Sequence, residues 1–370
     1  MSTKIGIITM FDCHNFGNRL QNYAVQTVLE NLGYKCETIV PESLYKVNPS
    51  NILKDLACSI AGSQLSYKHP DAVRYYRIRR FNRNIHFRVV KEDMFSPMLA
   101  DEYDYFVTGS DQVWNPYFWN ALLGNDVSFN NYFLRFARPE QRKCFSPSIG
   151  ITELPGEWEE PFRNELLQFT QLNIRETAGA DIIYRLTGRR ADVTLDPTLL
   201  LTQDDWKKVS RKFKACPQEK YILYVMLGSE AEEISVEQKA IINNLARQHG
   251  LIGCRMIIRK RPEWFSCGPG EFIYMIQHAE LVCTDSFHCV VFSILFGKPF
   301  LLFKRIIKKY GIDMSSRTET LLSLLDLERK KPENQVWDET NIFEADYAGS
   351  IKILENLKQK TLGIIKNMFM

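Results

Sequence analysis

An acid, a hydroxyl and an imidazole lie close together in the segment VCTDSFHC, at Asp285, Ser286 and His288. Groups of these types can accept, donate and relay protons, and the free backbone N–H groups at a helix start can bind an anion. The apolar residues on both sides predict a strand that ends near Thr284 and a helix over residues 287–295. Ser286 is then expected to be the N-cap of that helix.

A second polar group follows another apolar run, in the segment YFVTGSDQVWNP. Its planar hydrogen-bonding groups beside an aromatic face are typical of sugar recognition, and its members are Ser110, Asp111, Gln112, Trp114 and Asn115. Asp111 could act as a general base, or it could cap the segment that follows. The segments YDYFVTGSDQV and AELVCTDSFHC both run from an apolar strand into Thr-x-Ser. We therefore expect both polar groups at one ligand crevice, outside the carboxyl ends of parallel strands.

The first strand, KIGIITM, is followed by a helix start whose residue types can bind an anion. Gly17 permits an unusual backbone angle, and Arg19 could hold a carboxylate or phosphate beside Asn15 and Asn18. An ordinary turn would explain the asparagines and the glycine equally well. The spacing does not match GxGxxG, so a dinucleotide site is not expected.

Two further arginines are candidate anion ligands. Arg175 ends a short strand in the motif NIRE, where its neighbour Glu176 could simply pair with it. Arg317 lies at the start of a helix in SSRTETLL, where it could contact a carboxylate or lie on the solvated surface.

Strand and helix patterns alternate along the chain in two series. In the first, KIGIITM, a helix ending near Gly33 and CETIV form a strand, loop, helix and strand unit, which is typical of a parallel sheet. In the second, YILYVML, CRMII, ELVCT and PFLLF alternate with helices over residues 235–249, 272–278 and 287–295. We predict an α/β fold with two Rossmann-like domains, residues 1–200 and residues 201–345, the second of which carries TDSFH. An amphipathic helix over residues 346–370 is expected to pack back on the first domain rather than lie on a membrane.

The composition is that of a water-soluble globular protein, because 45% of the 370 residues are hydrophobic and 25% are charged. The net charge of +3 gives no overall field that would mark a nucleic-acid binder. The first residues lack the core of a signal peptide, and no apolar run reaches the roughly 18 residues of a membrane span, so we expect a cytoplasmic protein. The nine cysteines include no CxxC pair, which predicts reduced thiols and no zinc site.

The segment over residues 74–88 interleaves arginines with aromatic side chains. Such a pattern can form an amphipathic helix with packed aromatics and solvated arginines, which is the favoured interpretation. It can also attract anionic lipid or a lipid-diphosphate acceptor, which would place the protein at the inner face of the membrane. Binding of nucleic acid is the third alternative, and no nucleic-acid partner is expected.

Six motifs, taken in order, resemble the polysaccharide pyruvyl transferase family. They are HNFGNRLQNYAVQ, GSDQVWNP, NIRE, LDPTLLL, TDSFH with the later GKPF, and SSRTETLL, and the likeness runs over about residues 4–325 with little contribution from residues 42–100. It implies a fold similar to the B-type glycosyltransferases, and transfer of a pyruvyl group from phosphoenolpyruvate onto a sugar as a ketal. One departure is Cys289, where many members have glycine after the histidine.

The resemblance gives the candidate residues distinct roles. His288 is expected to protonate the methylene carbon of the donor, Asp285 to orient the turn and Asp111 to act as base on the acceptor hydroxyl. The positive end of the helix should keep the imidazole neutral until a phosphate arrives. His288 could instead serve the turn alone, bound to Asp285 or to a carbonyl. The expected donor ligands are Asn15, Gly17, Asn18, Arg19, Arg175, Ser286 and Arg317, and the expected acceptor ligands are Ser110, Gln112, Trp114 and Asn115.

The expected partners are phosphoenolpyruvate as co-substrate and a sugar or lipid-linked oligosaccharide as acceptor, with no other cofactor and no metal. Two alternatives of other kinds stay open. One is a nucleotide-sugar-dependent glycosyltransferase on the same fold, and the other is a non-catalytic glycan-binding protein. The chain contains no Asp-x-Asp pair, but B-type glycosyltransferases need none.

Overall fold

The protein was examined as a computed structural model, which describes residues 3–11, 15–45, 68–227, 236–304, 306–307, 312–335 and 341–370. The chain divides into two compact units. The first unit comprises Met1–Val47, Asn82–Leu201 and Leu354–Met370. The second comprises Asn48–Phe81 and Thr202–Ile353.

Strands and helices alternate along the described residues. The strands are β1 Lys4–Ile8, β2 Lys35–Pro41, β3 Phe87–Val90, β4 Tyr105–Thr108, β5 Arg142–Cys144, β6 Asn173–Ile174, β7 Asp192–Val193, β8 Tyr221–Val225, β9 Ile252–Arg255, β10 Leu281–Thr284, β11 Phe300–Leu302, β12 Ile306–Ile307 and β13 Ile312–Asp313. The helices are α1 Phe16–Asn31, α2 Pro70–Asn82, α3 Pro97–Ala100, α4 Pro116–Leu122, α5 Asn125–Tyr132, α6 Gly156–Leu166, α7 Thr177–Thr187, α8 Pro197–Leu200, α9 Gln203–Val209, α10 Val236–Gln248, α11 Pro262–Phe265, α12 Pro269–His278, α13 Phe287–Leu295, α14 Ser316–Leu324 and α15 Ala348–Asn367.

The first unit is built around a five-stranded parallel sheet with the order β3-β2-β1-β4-β5. The middle strand β1 has Ile5 in register with Cys36 on one side and with Tyr105 on the other. A Cβ at Gly6 would lie 2.7 Å from the ring of Phe106, so glycine lets that ring cover the middle strand. A short parallel pair, β6 and β7, completes the strands of this unit among the described residues.

The C-terminal helix α15 contacts the first unit through its second half. The backbone N–H of Leu195 donates to Oγ1 of Thr361 at 3.2 Å. Just beyond the helix, the ring of Phe369 lies 4.7 Å from that of Tyr34. Leu354–Met370 therefore groups with the first unit, whereas the start of the helix groups with the second.

The second unit has a four-stranded parallel sheet with the order β11-β10-β8-β9, and β12 pairs with β13 in an antiparallel ladder. In the sheet, β10 lies between β8 and β11, with Val282 in register with Leu223 and with Phe300. One face of the sheet packs in a core of Ile222, Ile242, Leu245, Leu281, Cys283, Leu301 and Ile342. The polar residues that follow Thr284 consequently stand at the carboxyl end of a central, fully buried strand.

Residues 48–81 differ from the expected organisation, in which the first domain ran unbroken to residue 200. The described part of this segment, including most of α2, belongs to the second unit. Arg74 donates to the carbonyl oxygen of Phe265 at 3.1 Å, and Arg80 forms an ion pair with Glu271 of α12. Sequence periodicity could not reveal that this segment groups with the second unit, because these contacts join residues that are almost 200 positions apart in the chain.

Several arginines over residues 74–88 are engaged within the protein, which corrects the expectation of a solvated set. Besides the two contacts above, Arg77 donates to the carbonyl oxygen of Ser266 at 2.8 Å. Arg88 lies on β3 in the first unit and pairs with Glu102 at 2.5 Å. Buried and paired guanidinium groups bind lipid phosphates poorly, since their charge and donors are already satisfied. Across the described helices, none has the length and apolarity needed to cross a membrane.

Candidate functional site

The segment TDSFH forms the predicted junction between a strand and a helix. β10 ends at Thr284, whose hydroxyl donates to the carbonyl of Val225 at 2.8 Å and accepts from the backbone N–H of Ser286 at 2.9 Å. Helix α13 begins at Phe287, as predicted. Ser286 occupies the N-cap position with extended backbone angles, but its side chain makes no capping hydrogen bond. Its side chain instead interacts with the thiol of Cys289, in the first turn of that helix.

Asp285 and His288 lie on either side of that N-cap and are both buried. The carboxylate of Asp285 accepts from the backbone N–H of Leu227 at 2.7 Å, which joins the loop after β8 to the loop after β10. His288 is in the first turn of α13 with 8% of its surface exposed, and its ring meets that of Phe287 edge-on at 5.3 Å. The imidazole thus stands at a helix start, where the helix dipole attracts anions.

Arg317 lies beside this turn, within the same unit. It is the second residue of α14 and is only 4% exposed, so the alternative of a solvated surface arginine is wrong. Its guanidinium carbon lies 5.8 Å from the centre of the Phe287 ring. The geometry therefore brings a cation next to the residue that precedes His288.

Cys289, the residue that follows His288, is fully buried. Burial raises the pKa of its thiol to about 12, so the group is neutral at physiological pH. A neutral thiol adds no charge to the anion-binding end of the helix.

In the first unit, the segment after β4 makes an abrupt turn at Gly109 and Asp111. Gly109 has a φ of +120°, and a Cβ there would lie 2.3 Å from the carbonyl oxygen of Phe145, so no other residue fits. Asp111 also has a positive φ, 65°. Its carboxylate accepts from the backbone N–H of Gln112 at 2.9 Å. The cap of the following helix is Asn115, so the alternative role of Asp111 as that cap is wrong.

Arg175 lies among carboxylates rather than at an exposed ligand site. It forms an ion pair with Asp196 and lies 3.8 Å from Asp111. Burial disfavours its charge, but the carboxylates of Asp196, Asp111 and Glu176 outweigh that effect and raise its pKa. The simple pairing expected between Arg175 and Glu176 is not the main contact, because Glu176 accepts from the backbone N–H groups of Ile149 and Gly150 at 2.7 and 2.8 Å.

Most of the expected acceptor ligands are committed to the fold. Trp114 is fully buried and stacks on Phe133 with ring centres 5.3 Å apart, so it offers no sugar platform. Asn115 caps α4 by accepting from Tyr117, and its amide donates to the side chain of Gln112 at 2.9 Å. Ser110 is likewise buried. Trp114, Asn115 and Ser110 have no exposed surface, so these three are core or cap residues rather than acceptor ligands.

The polar side chains at the start of α1 also make contacts within the fold. Arg19 is fully buried, donating to Asn18 at 2.7 Å and to the carbonyl oxygen of Met10 at 2.5 Å. Gly17 is a helical residue of the first turn, so it does not supply the unusual backbone angle that was expected. Asn15 is exposed and caps the helix by accepting from the backbone N–H of Gly17. Donor binding by Arg19 and Asn18 is therefore not available in this conformation.

Two features of the first unit were missed at the level of sequence. Asp196 is fully buried and pairs with Arg175, and the signal for it was the motif LDPTLLL, one of the six motifs of the resemblance. A groove of about 820 Å³ opens beyond the ends of β2 and β3, lined by Glu42, Ser43, Tyr45, Val89, Glu92, Leu122, Leu123 and Val127. No local pattern marks this groove, because its walls come from three separate segments.

The candidate residues therefore form two clusters, one on each unit. In the second unit, Asp285, Ser286, His288 and Arg317 lie around the start of α13. In the first unit, Asp111, Arg175 and Asp196 form a charged cluster at the ends of β4 and β6. Within the described ranges, no three histidine, cysteine or acidic side chains converge as ligands for a metal ion.

Comparison with known proteins gives a sequence match and a fold match. The model of the polysaccharide pyruvyl transferase family matches residues 15–305, which include both clusters apart from Arg317. No curated protein matches the chain.

Among solved structures, HepE from Anabaena, in complex with UDP and glucose, superposes with a TM-score of 0.51 at 10% identity, covering 99% of this chain and 100% of HepE. A glycosyltransferase from Rickettsia africae has a TM-score of 0.48 at 11% identity, covering 99% of this chain and 98% of its own. The UDP-GlcNAc 2-epimerase of Methanocaldococcus jannaschii has a TM-score of 0.47 at 12% identity, covering 96% and 100%. The predicted α/β fold with two Rossmann-like units, similar to the B-type glycosyltransferases, is confirmed.

Proposed function

Because this chain belongs to the polysaccharide pyruvyl transferase family, we propose that it moves a pyruvyl group from phosphoenolpyruvate onto a sugar of a glycan or glycan precursor. The product is a ketal and the released group is inorganic phosphate. The observation that carries this proposal is the position of His288, nearly buried in the first turn of α13 at the end of a central strand. A sugar or lipid-linked oligosaccharide is the proposed acceptor, and the cytoplasm, where phosphoenolpyruvate is formed, is the proposed compartment.

The chemistry sets the groups that the protein must supply. Protonation of the methylene carbon of phosphoenolpyruvate makes the neighbouring carbon electrophilic, and a sugar hydroxyl attacks that carbon and loses its proton to a base. Phosphate then leaves with the bonding electrons of its C–O bond, and a second hydroxyl adds to the same carbon and loses its proton. The reaction thus needs one acid, one base and groups that hold a carboxylate and a phosphate.

The second unit offers the acid and the anion ligands. His288 is the proposed acid, and its protonation is favoured when a phosphate binds at the helix start. Ser286 supplies a hydroxyl at the helix start, and Arg317 supplies a nearby cation. An arginine fork suits a carboxylate, so Arg317 is the proposed partner of the donor carboxylate.

The first unit offers the base and a place for the acceptor. Asp111 is the proposed base, since its carboxylate stands at the end of β4 and makes a local contact with the backbone of Gln112. The groove at the ends of β2 and β3 is the proposed acceptor site, because Tyr45 can pack on a sugar ring while Glu42 accepts from hydroxyls. Its acidic residues would repel the anionic donor, which favours a neutral polyol there.

The direct test incubates the protein with phosphoenolpyruvate and a panel of glycan acceptors in D₂O, without added metal. Phosphate should appear in step with pyruvylated acceptor, and the methyl group of the ketal should carry a deuterium from solvent. Thermal shift provides a second measurement, because a ligand that binds only the folded protein raises the melting temperature. A shift with nucleotide sugars and none with phosphoenolpyruvate, together with no phosphate release, would refute the proposed donor.

A nucleotide-sugar-dependent glycosyltransferase is the second candidate, suggested by the solved complex of HepE with UDP and glucose. That likeness, at 10% identity, concerns the fold alone. Transfer of a sugar from a nucleotide donor to the same acceptor panel would favour it. Binding of glycan with no transfer from either donor would favour the non-catalytic alternative.

A further inference from the structure

Asp196 connects three segments at the carboxyl edge of the sheet in the first unit. Its carboxylate is buried and pairs with the guanidinium of Arg175, which follows β6. It also accepts from the backbone N–H of Thr198 at 2.9 Å, at the start of α8. The hydroxyl of Ser110, in the loop after β4, lies 3.4 Å from the same carboxylate. One side chain therefore holds the ends of β4 and β6 to the loop after β7.

The Asp111 carboxylate depends on the same contacts. Asp111 directly follows Ser110 in the chain. Nη2 of Arg175 lies 3.8 Å from Oδ1 of Asp111. The backbone N–H of Ser110 donates to the side chain of Gln21 at 3.1 Å, so the loop is held from both sides. A carboxylate on a residue with a positive φ keeps its direction only if the surrounding contacts fix that backbone.

We propose that Asp196 is a positioning residue, which fixes Arg175 and Ser110 so that the carboxylate of Asp111 points in the direction required of a general base. The role of Asp111 as a base rests on the proposed function, whereas the positioning of its carboxylate by Asp196 does not. Asp196 is buried under these contacts and does not touch the substrate. Its effect on turnover passes through Asp111.

Hydrogen exchange tests the positioning without any need for activity. In Asp196→Asn, the amides of residues 109–115 should exchange at least about tenfold faster than in the wild type, because the loop loses its anchor. The matched control is Glu165→Gln, which breaks the largely buried ion pair between Glu165 and Arg142 elsewhere in the same unit. That control should leave exchange over residues 109–115 unchanged.

A double-mutant cycle with Asp111 tests whether Asp196 affects turnover through Asp111. Asp196→Asn should lower kcat about 10²-fold with little change in KM for phosphoenolpyruvate, since small misplacements of a catalytic group cost about that much. In the Asp111→Asn background, the same change should lower kcat by no more than about threefold, because the group it positions is already gone. A residue that only stabilised the fold would lower activity equally in both backgrounds.

Loss of one partner of a buried ion pair can prevent folding, so a second variant is needed. Asp196→Asn combined with Arg175→Gln removes both charges and should fold, with the same faster exchange and lower turnover. Unchanged exchange over residues 109–115 in the folded variants would overturn the positioning role. Faster exchange with full turnover, or additive effects in the cycle, would overturn the link to Asp111. A wild-type protein that releases no phosphate would count against the proposed function, and the exchange result would still decide the positioning.

Discussion

The carboxylate of Asp285 accepts a hydrogen bond from the backbone N–H of Leu227 at 2.7 Å. This contact ties the end of β8 to the end of β10, three residues before His288. The acid of TDSFH is therefore hydrogen-bonded to a neighbouring loop. This contact supports the proposal that Asp285 orients the turn that carries His288.

Asp285→Ala should lower both stability and turnover. The variant leaves the N–H of Leu227 without its acceptor, which costs about 1–3 kcal/mol of unfolding free energy. Turnover should fall because the start of α13 loses its anchor. Asp285→Asn is the control, since its amide oxygen can still accept from Leu227. Urea denaturation with parallel assays of phosphate release measures both, and an Asn variant as impaired as the Ala variant would show that the charge matters instead.

Trp114 should behave as a core residue. Trp114→Ala should cost about 3–5 kcal/mol of unfolding free energy, because it removes a fully buried ring that stacks on Phe133 and leaves a cavity. Trp114→Phe should fold and keep the acceptor KM of the wild type. An acceptor KM that rises tenfold in a stable Trp114→Phe variant would restore the earlier interpretation of this residue as a sugar ligand.

Arg19 should likewise act on stability. Arg19→Ala removes charge-assisted hydrogen bonds to Asn18 and to the carbonyl of Met10, and should cost about 3 kcal/mol. Arg19→Lys keeps the charge but loses the planar fork, so it should recover only part of that loss. Denaturation midpoints and phosphoenolpyruvate affinity are measured on the same samples. Weaker donor binding at unchanged stability would show that Arg19 contacts the donor after all.

The buried thiols predict a loss of stability in alkaline solution. Burial raises the pKa of Cys144 and Cys289 from 9.0 to about 12. Between these values the unfolded chain loses thiol protons that the folded protein keeps, so stability that is present below about pH 9 should fall as pH rises toward 12. The slope of unfolding free energy against pH should be smaller in Cys289→Ala. An equal slope in that variant would mean that the thiol ionises as readily in the folded protein.

The sequence was sufficient for features that depend on local pattern. Apolar runs and their spacing predicted the parallel-sheet units, and the start of α13 at Phe287 follows from the TDSFH junction. It was insufficient where burial by distant residues decides whether a side chain can reach a ligand. Trp114 and Arg19 have side chains that suit ligands, yet both are fully enclosed by distant residues. The grouping of the described residues 68–81 with the second unit and the pairing of Arg175 with Asp196 also depend on contacts that no local pattern encodes.

The most direct test of the proposed function is the turnover of His288→Gln at saturating phosphoenolpyruvate. Glutamine can form hydrogen bonds but cannot donate a proton to carbon, and general acid catalysis contributes a factor of about 10²–10⁴. We predict that turnover falls by that factor while the folded protein and its donor binding are kept. Near-normal turnover of His288→Gln at saturating donor would contradict the role of His288 as the acid.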